Sequence, residues 1–208
     1  MKWHGMVVGL IGALLLLSGC ARMMGEGTPA TRFYIISPLT IPTSSPGVQV
    51  REPELSLALE PLLIPSYLNR PQIVIRTGQN ELKISEFNQW GENLRENLSR
   101  VLIENLSFLL DSDRIYLMPG LKRELPDYRI LVRIIEFERG DDGKIRLAAR
   151  WKLQNKSGKE ILFRENLLLT GQKVKGGDYS AIAQAMSHLL GELSQRIAEV
   201  VQKPEAFL

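Results

Sequence analysis

The chain has few of the side chains from which most catalytic and metal sites are built. Its 208 residues include one cysteine, Cys20, and two histidines, His4 and His188. Zinc sites of cysteine and histidine ligands need three or four such residues, and a Cys-His nucleophilic pair needs a free thiol, which the chain lacks if Cys20 is lipidated and His4 is removed with a signal peptide, as argued below. His188 lies among leucines at helical spacing, as an ordinary helix residue does, and no Walker or dinucleotide glycine loop is present. We therefore expect a protein that is not an enzyme and that holds no metal or cofactor.

A long apolar run is also missing. The run from Met6 to Leu17 has twelve residues, whereas a transmembrane helix needs about 20. Lys2 precedes the run, and the small residues Ser18 and Gly19 follow it directly before Cys20. A basic start, a short apolar core and small residues at the end are typical of a signal peptide. We therefore predict an exported protein with a signal peptide at residues 1–19, in preference to a transmembrane anchor.

The end of this segment, Leu17-Ser18-Gly19-Cys20, resembles the bacterial lipoprotein box. The resemblance implies cleavage before Cys20 and acylation of its sulfur and its new amino group. A buried methylene is worth about 0.8 kcal/mol, so several acyl chains together hold a protein stably in a bilayer. Ala21, instead of aspartate, follows the cysteine, which by the same resemblance implies sorting to the outer membrane. Cys20 is therefore the predicted lipidation site and the contact with the lipid bilayer.

The residues after Cys20 have the composition of one globular domain. Apolar residues make up 44% and charged residues 24% of the chain, close to the averages for globular proteins. Without Lys2 the formal charge is +2, too small to indicate a nucleic-acid partner. Residues 20–31 contain Gly and Pro without periodicity and are predicted to be a lipidated tether. Residues 32–208 are the predicted domain.

Alternating apolar and polar residues predict a sheet in this domain. We predict strands at 32–36, 55–64, 72–76, 81–85, 115–118, 128–138, 144–154 and 160–170, with a loop at 41–53. Short turns rich in Gly, Asn and Asp separate the last three strands, which indicates antiparallel neighbours. On strand 144–154, Ile145, Leu147, Ala149, Trp151 and Leu153 are predicted to face the core.

Two segments have helical periodicity instead. Apolar residues recur three or four apart from near Phe87, through Trp90, to Leu110, and again after Asp178, a residue suited to cap a helix. Two amphipathic helices and a sheet with one apolar face can bury each other. The predicted fold is therefore α+β, a single domain in which a mostly antiparallel sheet packs against two long amphipathic helices.

Two surface features leave alternatives open. The row Lys144, Arg146, Arg150 and Lys152 fits a solvated strand face, or a docking patch for an anionic lipid or an acidic partner. The run 167–169 consists of three leucines, apolar on both sides of a strand. Such a strand is covered on both faces or touches another subunit.

One region resembles a known family. The stretch 64–76, Ile-Pro-Ser-Tyr-Leu-Asn-Arg-Pro-Gln-Ile-Val-Ile-Arg, is followed by Asn-Glu-Leu at 80–82 and Trp-Gly-Glu-Asn-Leu at 90–94. These motifs resemble the ABC-type transport auxiliary lipoproteins typified by paraquat-inducible protein C. Asn69 and Gly91 stand where that family pattern has Asp and Ala. The likeness extends over most of the chain, because the first strand, helices and meander follow in the same order.

The resemblance implies a non-enzymatic outer-membrane lipoprotein of an intermembrane lipid transport system that contributes to membrane integrity. Its implied partners are a mammalian-cell-entry (MCE) domain protein, an inner-membrane permease component and further copies of itself in a ring. Arg70, Pro71, Gln72, Arg76 and Trp90 are candidate structural or interface residues. For Arg70, a structural clamp and lipid contact are both compatible with the motif.

Two rival functions remain open at this point. The first is an envelope lipoprotein that assists lipopolysaccharide or outer-membrane protein assembly. The second is a periplasmic hydrolase that uses an unrecognised Ser-Lys or carboxylate pair. Its acidic candidates, Asp111 with Asp113 and Asp141 with Asp142, lie in predicted turns, where carboxylates commonly cap backbone amides.

Overall fold

The computed structural model describes residues 29–40, 55–119, 125–158 and 161–203. The predicted signal peptide, Cys20, most of the tether and the predicted loop 41–53 lie outside the described residues. The fold is that of the unit Thr31–Leu208. Its described elements, in chain order, are β1 (Arg32–Tyr34), β2 (Leu57–Leu59), β3 (Gln72–Gly78), β4 (Glu81–Trp90), α1 (Leu94–Leu109), β5 (Ile115–Leu117), β6 (Tyr128–Arg139), β7 (Lys144–Asn155), β8 (Ile161–Lys173) and α2 (Tyr179–Gln202).

Strand β6 is the centre of a curled, eight-stranded sheet. On one side it pairs along its length with β7, which pairs in turn with β8. On the other side its first three residues pair with β2, and its last residue, Arg139, pairs with Ile75 of β3. Strand β2 also pairs with β5. On the other branch, β3 pairs with β4, and β4 pairs with β1. The sheet therefore divides into two branches beside β6.

The prediction of a mostly antiparallel sheet is wrong, because the sheet is mixed. The three pairings between neighbouring long strands are antiparallel, as the short turns predict. However, β1 with β4, β2 with β5, β2 with β6 and β3 with β6 are parallel. Parallel neighbours are joined by long crossovers. Three of these strands are only three residues long, so no local pattern marks their direction.

The two helices pack against one face of the sheet. The inward residues predicted on β7 are all buried, and they share one core with the apolar stripes of α1 and α2. Asp178 caps α2 as predicted, since its carboxylate accepts a 3.0 Å hydrogen bond from the Ala181 amide. The single-domain α+β architecture is therefore confirmed for this unit, with the core between helices and sheet.

The start of the first helix differs from the prediction. Residues 87–90 belong to strand β4, and α1 begins at Leu94 after the cap residue Asn93. The Trp90 amide donates to the Pro71 carbonyl at 2.7 Å, and the Gly91 amide donates to Tyr34 at 2.7 Å. Because these partners are distant in sequence, tertiary pairing extends the strand into a segment with helical periodicity.

The segment that follows β1 is attached to both helices by buried amides. The Ile36 amide donates to Asn97 Oδ1 at 2.7 Å, and Asn97 Nδ2 donates back to the Ile36 carbonyl at 3.0 Å. The Leu39 amide donates to Asn105 Oδ1 at 2.8 Å, and Asn105 Nδ2 donates to Ser194 of α2 at 3.0 Å. These hydrogen bonds hold the segment after β1 against the two helices, although it is not part of a strand.

Candidate functional site

A buried charged group lies under the segment with the family motif. Glu138, near the end of β6, has a side chain that is 0% exposed. Arg76 donates to its Oε1 from Nη2 at 2.8 Å and from Nε at 3.1 Å. Tyr67 Oη donates to Glu138 Oε2 at 3.0 Å, and the Phe137 amide donates to the same oxygen at 2.9 Å. We call Tyr67, Arg76 and Glu138 the Glu138 cluster.

Local features of the backbone assemble this cluster. The Leu68 amide donates to the Pro65 carbonyl at 3.0 Å, which forms the turn that carries Tyr67. Strand β6 has an irregularity between Ile134 and Glu136, and beyond it Phe137 packs in the core while Glu138 points to the other face. That face is covered by Tyr67 and Arg76, so that the carboxylate is buried with all its charge compensated.

The cluster shifts the pKa values of its members in directions that geometry explains. Burial raises the pKa of the Tyr67 hydroxyl, and the adjacent Glu138 carboxylate raises it further. The hydrogen bonds to Glu138 raise the pKa of the Arg76 guanidinium. Nearby, burial and then the charge of Glu138 raise the pKa of Glu136. Tyr67 and Arg76 therefore stay protonated at neutral pH and hold the carboxylate in place.

The structure places the predicted site residues along β3 and β4 but does not gather them into one site. Arg76 alone joins the Glu138 cluster. Arg70 Nε donates to the side-chain carbonyl of Gln72 at 3.1 Å, and Pro71 accepts the Trp90 amide. Trp90 is 6% exposed and lies in the core. The contact with Gln72 is of the kind that the structural alternative for Arg70 predicts.

Glu138 was not a sequence candidate. It is one of five charged residues of β6, and its partners are 62 and 71 positions away. The adjacent apolar residues Ile134 and Ile135 interrupt the alternation at the bulge, but the apolar run 130–132 interrupts it as well. A sequence pattern of this kind does not identify the cluster.

A second feature lies on the sheet face opposite the helices. Arg133 of β6 is directly opposite Arg150 of β7, and Lys152 of β7 is directly opposite Arg164 of β8. Arg133, Arg150 and Arg164 are exposed and Lys152 is partly exposed. None of the four has an ion-pair or hydrogen-bond partner for its side chain among the described residues. We call these four residues the cation array.

The cation array forms one side of a groove of about 320 Å³. The other side is the segment between β2 and β3, which contributes Glu60, Pro61 and Leu63. Leu63 is 50% exposed and is attached to β6 by an isolated bridge to Arg133. The groove therefore lies between this segment and strands β6, β7 and β8. Of the predicted basic row, Arg150 and Lys152 line it, whereas Arg146 binds Asp142 at 2.6 Å.

The other sequence candidates have ordinary structural roles. His188 is 75% exposed and contacts Glu192 at 2.9 Å. Asp141 and Asp142 accept hydrogen bonds from the amides of Asp142 and Lys144, so they cap the β6–β7 turn. Within the described ranges, no three His, Cys, Asp or Glu side chains come together in a group that could hold a metal ion. Neither described helix is apolar over enough turns to cross a membrane.

The fold and these features define a class: α+β domains whose curled mixed sheet carries two helices on one face and a basic, solvent-facing surface on the other. Comparison with known proteins then identifies the family. The model of the ABC-type transport auxiliary lipoprotein component family matches residues 38–198, and the chain belongs to this family. The family resemblance of the motif at 64–94 is thereby confirmed. The family is one of auxiliary transport lipoproteins and not an enzyme family.

Solved structures agree with this fold. The crystal structure of an uncharacterized protein, 18% identical, superposes with a TM-score of 0.65 over 83% of this chain and 99% of its own. Protein XCC0632 from Xanthomonas campestris, 15% identical, superposes with a TM-score of 0.60 over 82% of this chain and 90% of its own. At these identities the likeness shows the fold alone. No curated protein matches the chain closely enough to count as a relative.

Proposed function

We propose that the protein is an outer-membrane-anchored, non-enzymatic subunit of an MCE-type intermembrane lipid transport system. The observation that carries the proposal is the family match over residues 38–198, downstream of a lipoprotein box that ends at Cys20. An acyl anchor on Cys20 would limit this auxiliary lipoprotein to a membrane surface. Residues 1–19 are the proposed signal peptide, 20–31 the tether and 32–208 the working domain.

The proposed partners are an MCE-domain protein, an inner-membrane permease component and further copies of this chain in a ring. One feature supports contacts between copies. Strand β8 is thirteen residues long and pairs with a neighbour only on its β7 side among the described strands. An unpaired strand edge is a template for pairing with a second chain.

Crosslinking in intact envelopes tests the proposal. The tagged, lipidated chain is crosslinked, solubilised and captured, and its partners are identified by mass spectrometry. We expect an MCE-domain protein among the specific partners, and a homo-oligomer by light scattering of the purified chain. A matched control carries the tag on an unrelated outer-membrane lipoprotein. Capture of lipopolysaccharide-assembly or outer-membrane protein-assembly factors without any MCE-domain protein would overturn the proposal.

A further inference from the structure

The cation array is not explained by the stability of the fold. Like charges directly opposite each other on adjacent strands are destabilising, and the array holds two such pairs side by side, Arg133 with Arg150 and Lys152 with Arg164. Elsewhere the described arginines are commonly compensated, as Arg76 is by Glu138 and Arg196 by Glu165. Four cations without an acidic partner among the described side chains, in two adjacent rows, therefore attract an anion, and guanidinium groups match phosphate oxygens with two parallel hydrogen bonds.

The surroundings of the array are apolar rather than acidic. Pro61, Leu63 and Leu131 line the same groove, and Glu60 is the one carboxylate among the described residues that line it. One row further along the sheet, Leu168 is paired with Ala148 and is 63% exposed, while Ile135 in the bulge of β6 is 42% exposed. Phosphate alone would satisfy the cations and leave this apolar surface in water. A ligand that satisfies both joins a phosphate to hydrocarbon.

We propose that this groove binds the headgroup of an anionic phospholipid, with the phosphate on the cation array and the acyl chains over Ile135 and Leu168. A volume of about 320 Å³ is enough for a phosphate and its glycerol but leaves the chains on the open sheet surface. Glu60 supplies an acceptor for a headgroup hydroxyl, as in phosphatidylglycerol. The proposal rests on the proposed function, because a lipid transport system would supply the phospholipid. The site would be a second lipid contact of the protein, separate from the acyl anchor.

Calorimetric titration of the complete lipidated protein in neutral detergent with dihexanoyl phosphatidylglycerol tests the site. We expect saturable binding that the double variant Arg150→Gln, Arg164→Gln weakens by about ten-fold or more, because each lost charged hydrogen bond is worth more than 1 kcal/mol. Lys144→Gln is the matched control, since Lys144 is an exposed cation of the same strand outside the groove, and we expect unchanged affinity. Equal binding by wild type and the double variant, or no binding at all, would overturn the proposal.

Other titrants separate the lipid from simpler anions. Inorganic phosphate and a polyglutamate peptide should bind more weakly than phosphatidylglycerol, and equal affinity for either would show a free-anion or an acidic-protein site instead. Leu168→Gln changes no charge and should weaken binding of phosphatidylglycerol but not of phosphate. Unchanged lipid affinity in this variant would contradict the acyl contact. The thermal midpoint of every variant is measured alongside, and the double variant should unfold no earlier than wild type because two like-charge pairs are removed.

The test is independent of the proposed function. Purified protein needs no partner to bind lipid, so a negative lipid titration would overturn the groove proposal and leave the crosslinking result unaffected. Conversely, binding of phosphatidylglycerol at the cation array without recovery of an MCE-domain protein would support the lipid site and overturn the proposed transport system.

Discussion

The charged residues of this protein include some that stabilise the fold through buried contacts and some that are exposed beside a like charge. Glu138 belongs to the first group, because its carboxylate is fully buried and accepts hydrogen bonds from Arg76, Tyr67 and the Phe137 amide. Arg150 belongs to the second group, because it is exposed beside another cation. Loss of charge should therefore destabilise the folded domain in the first group and should not destabilise it in the second group.

Replacing Arg76 by methionine should destabilise the domain strongly. The change leaves the Glu138 carboxylate buried without its cation, and such a loss costs about 3–5 kcal/mol, at the lower end here because Tyr67 and the Phe137 amide still donate. Urea denaturation monitored by tryptophan fluorescence measures the change. Arg95→Met on the exposed face of α1 is the control, with an expected effect within about 0.5 kcal/mol.

Combining Arg76→Met with Glu138→Gln checks the reason for that loss. The double variant no longer buries a charge, so it should be more stable than Arg76→Met alone. A double variant that is as unstable as the sum of the two single variants would show that packing, and not the uncompensated carboxylate, dominates.

Glu136 gives a pH-dependent prediction. Its pKa is raised in the folded protein above the ordinary value of 4.5, so the folded state binds the proton more tightly than the unfolded state does. Protonation of Glu136 therefore favours the folded state at pH values below 4.5, and this contribution to stability is lost as the pH rises through the raised pKa. Glu136→Gln should raise the thermal midpoint at pH 7 by about 1–3 °C and leave it nearly unchanged below pH 4. Equal effects at both pH values would contradict this account.

At the scale of elements, the segment that follows β1 is held by side chains and not by strand pairing. Asn97 is 1% exposed and makes two hydrogen bonds to the backbone of Ile36. The side-chain amide of Asn97 thus replaces the two backbone hydrogen bonds that Ile36 would make to a neighbouring strand if β1 extended that far. The route from the tether into the domain depends on this helix.

Asn97→Ala should therefore cost about 2–4 kcal/mol, because it leaves the amide and the carbonyl of Ile36 buried without partners. Hydrogen exchange should show faster exchange of the Ile36 amide than of the β6–β7 pairing. Asn80→Ala, in the exposed turn between β3 and β4, is the matched control and should change the free energy of unfolding by less than about 0.5 kcal/mol. Similar losses in both variants would rule out a specific role for Asn97.

Elements whose signal is local were predicted from the sequence. The alternation around Trp151 placed every inward residue of β7, and Asp178 marked the start of α2. Trp90 was assigned to a helix because its spacing to Leu94 and Leu98 is helical, while the contacts that make it a strand residue come from Pro71 and Tyr34. The Glu138 cluster and the opposition of Arg133 to Arg150 depend on register between strands, which single-strand patterns do not contain.

At the scale of the whole molecule, anchoring and folding are predicted to be separate properties. The core of the described residues runs from Ile36 to Val201 and joins both helices to the sheet. We therefore expect that the stability of the domain does not require an attached lipid.

Cys20→Ser should consequently abolish membrane attachment and leave the fold intact. Without the thiol no acyl group is transferred to the chain, and the variant should move from the membrane fraction to the soluble periplasmic fraction or remain unprocessed. Its thermal midpoint, measured on the purified chain, should match that of wild type within about 2 °C. Retention of the processed variant in outer-membrane vesicles would contradict lipidation as the means of attachment.

The branching of the sheet beside β6 has an evolutionary consequence. Between its pairing with β2 and its pairing with β3, the strand is followed on that side by the segment 60–63, which hydrogen-bonds to it through Glu60 and Leu63. The path of this segment sets the position of the groove beside it. The residues that give it charge point away from the core, so substitutions can change them without loss of packing. A lineage that keeps this topology can therefore change the charge of this groove by altering a few surface positions, while the interior stays constant.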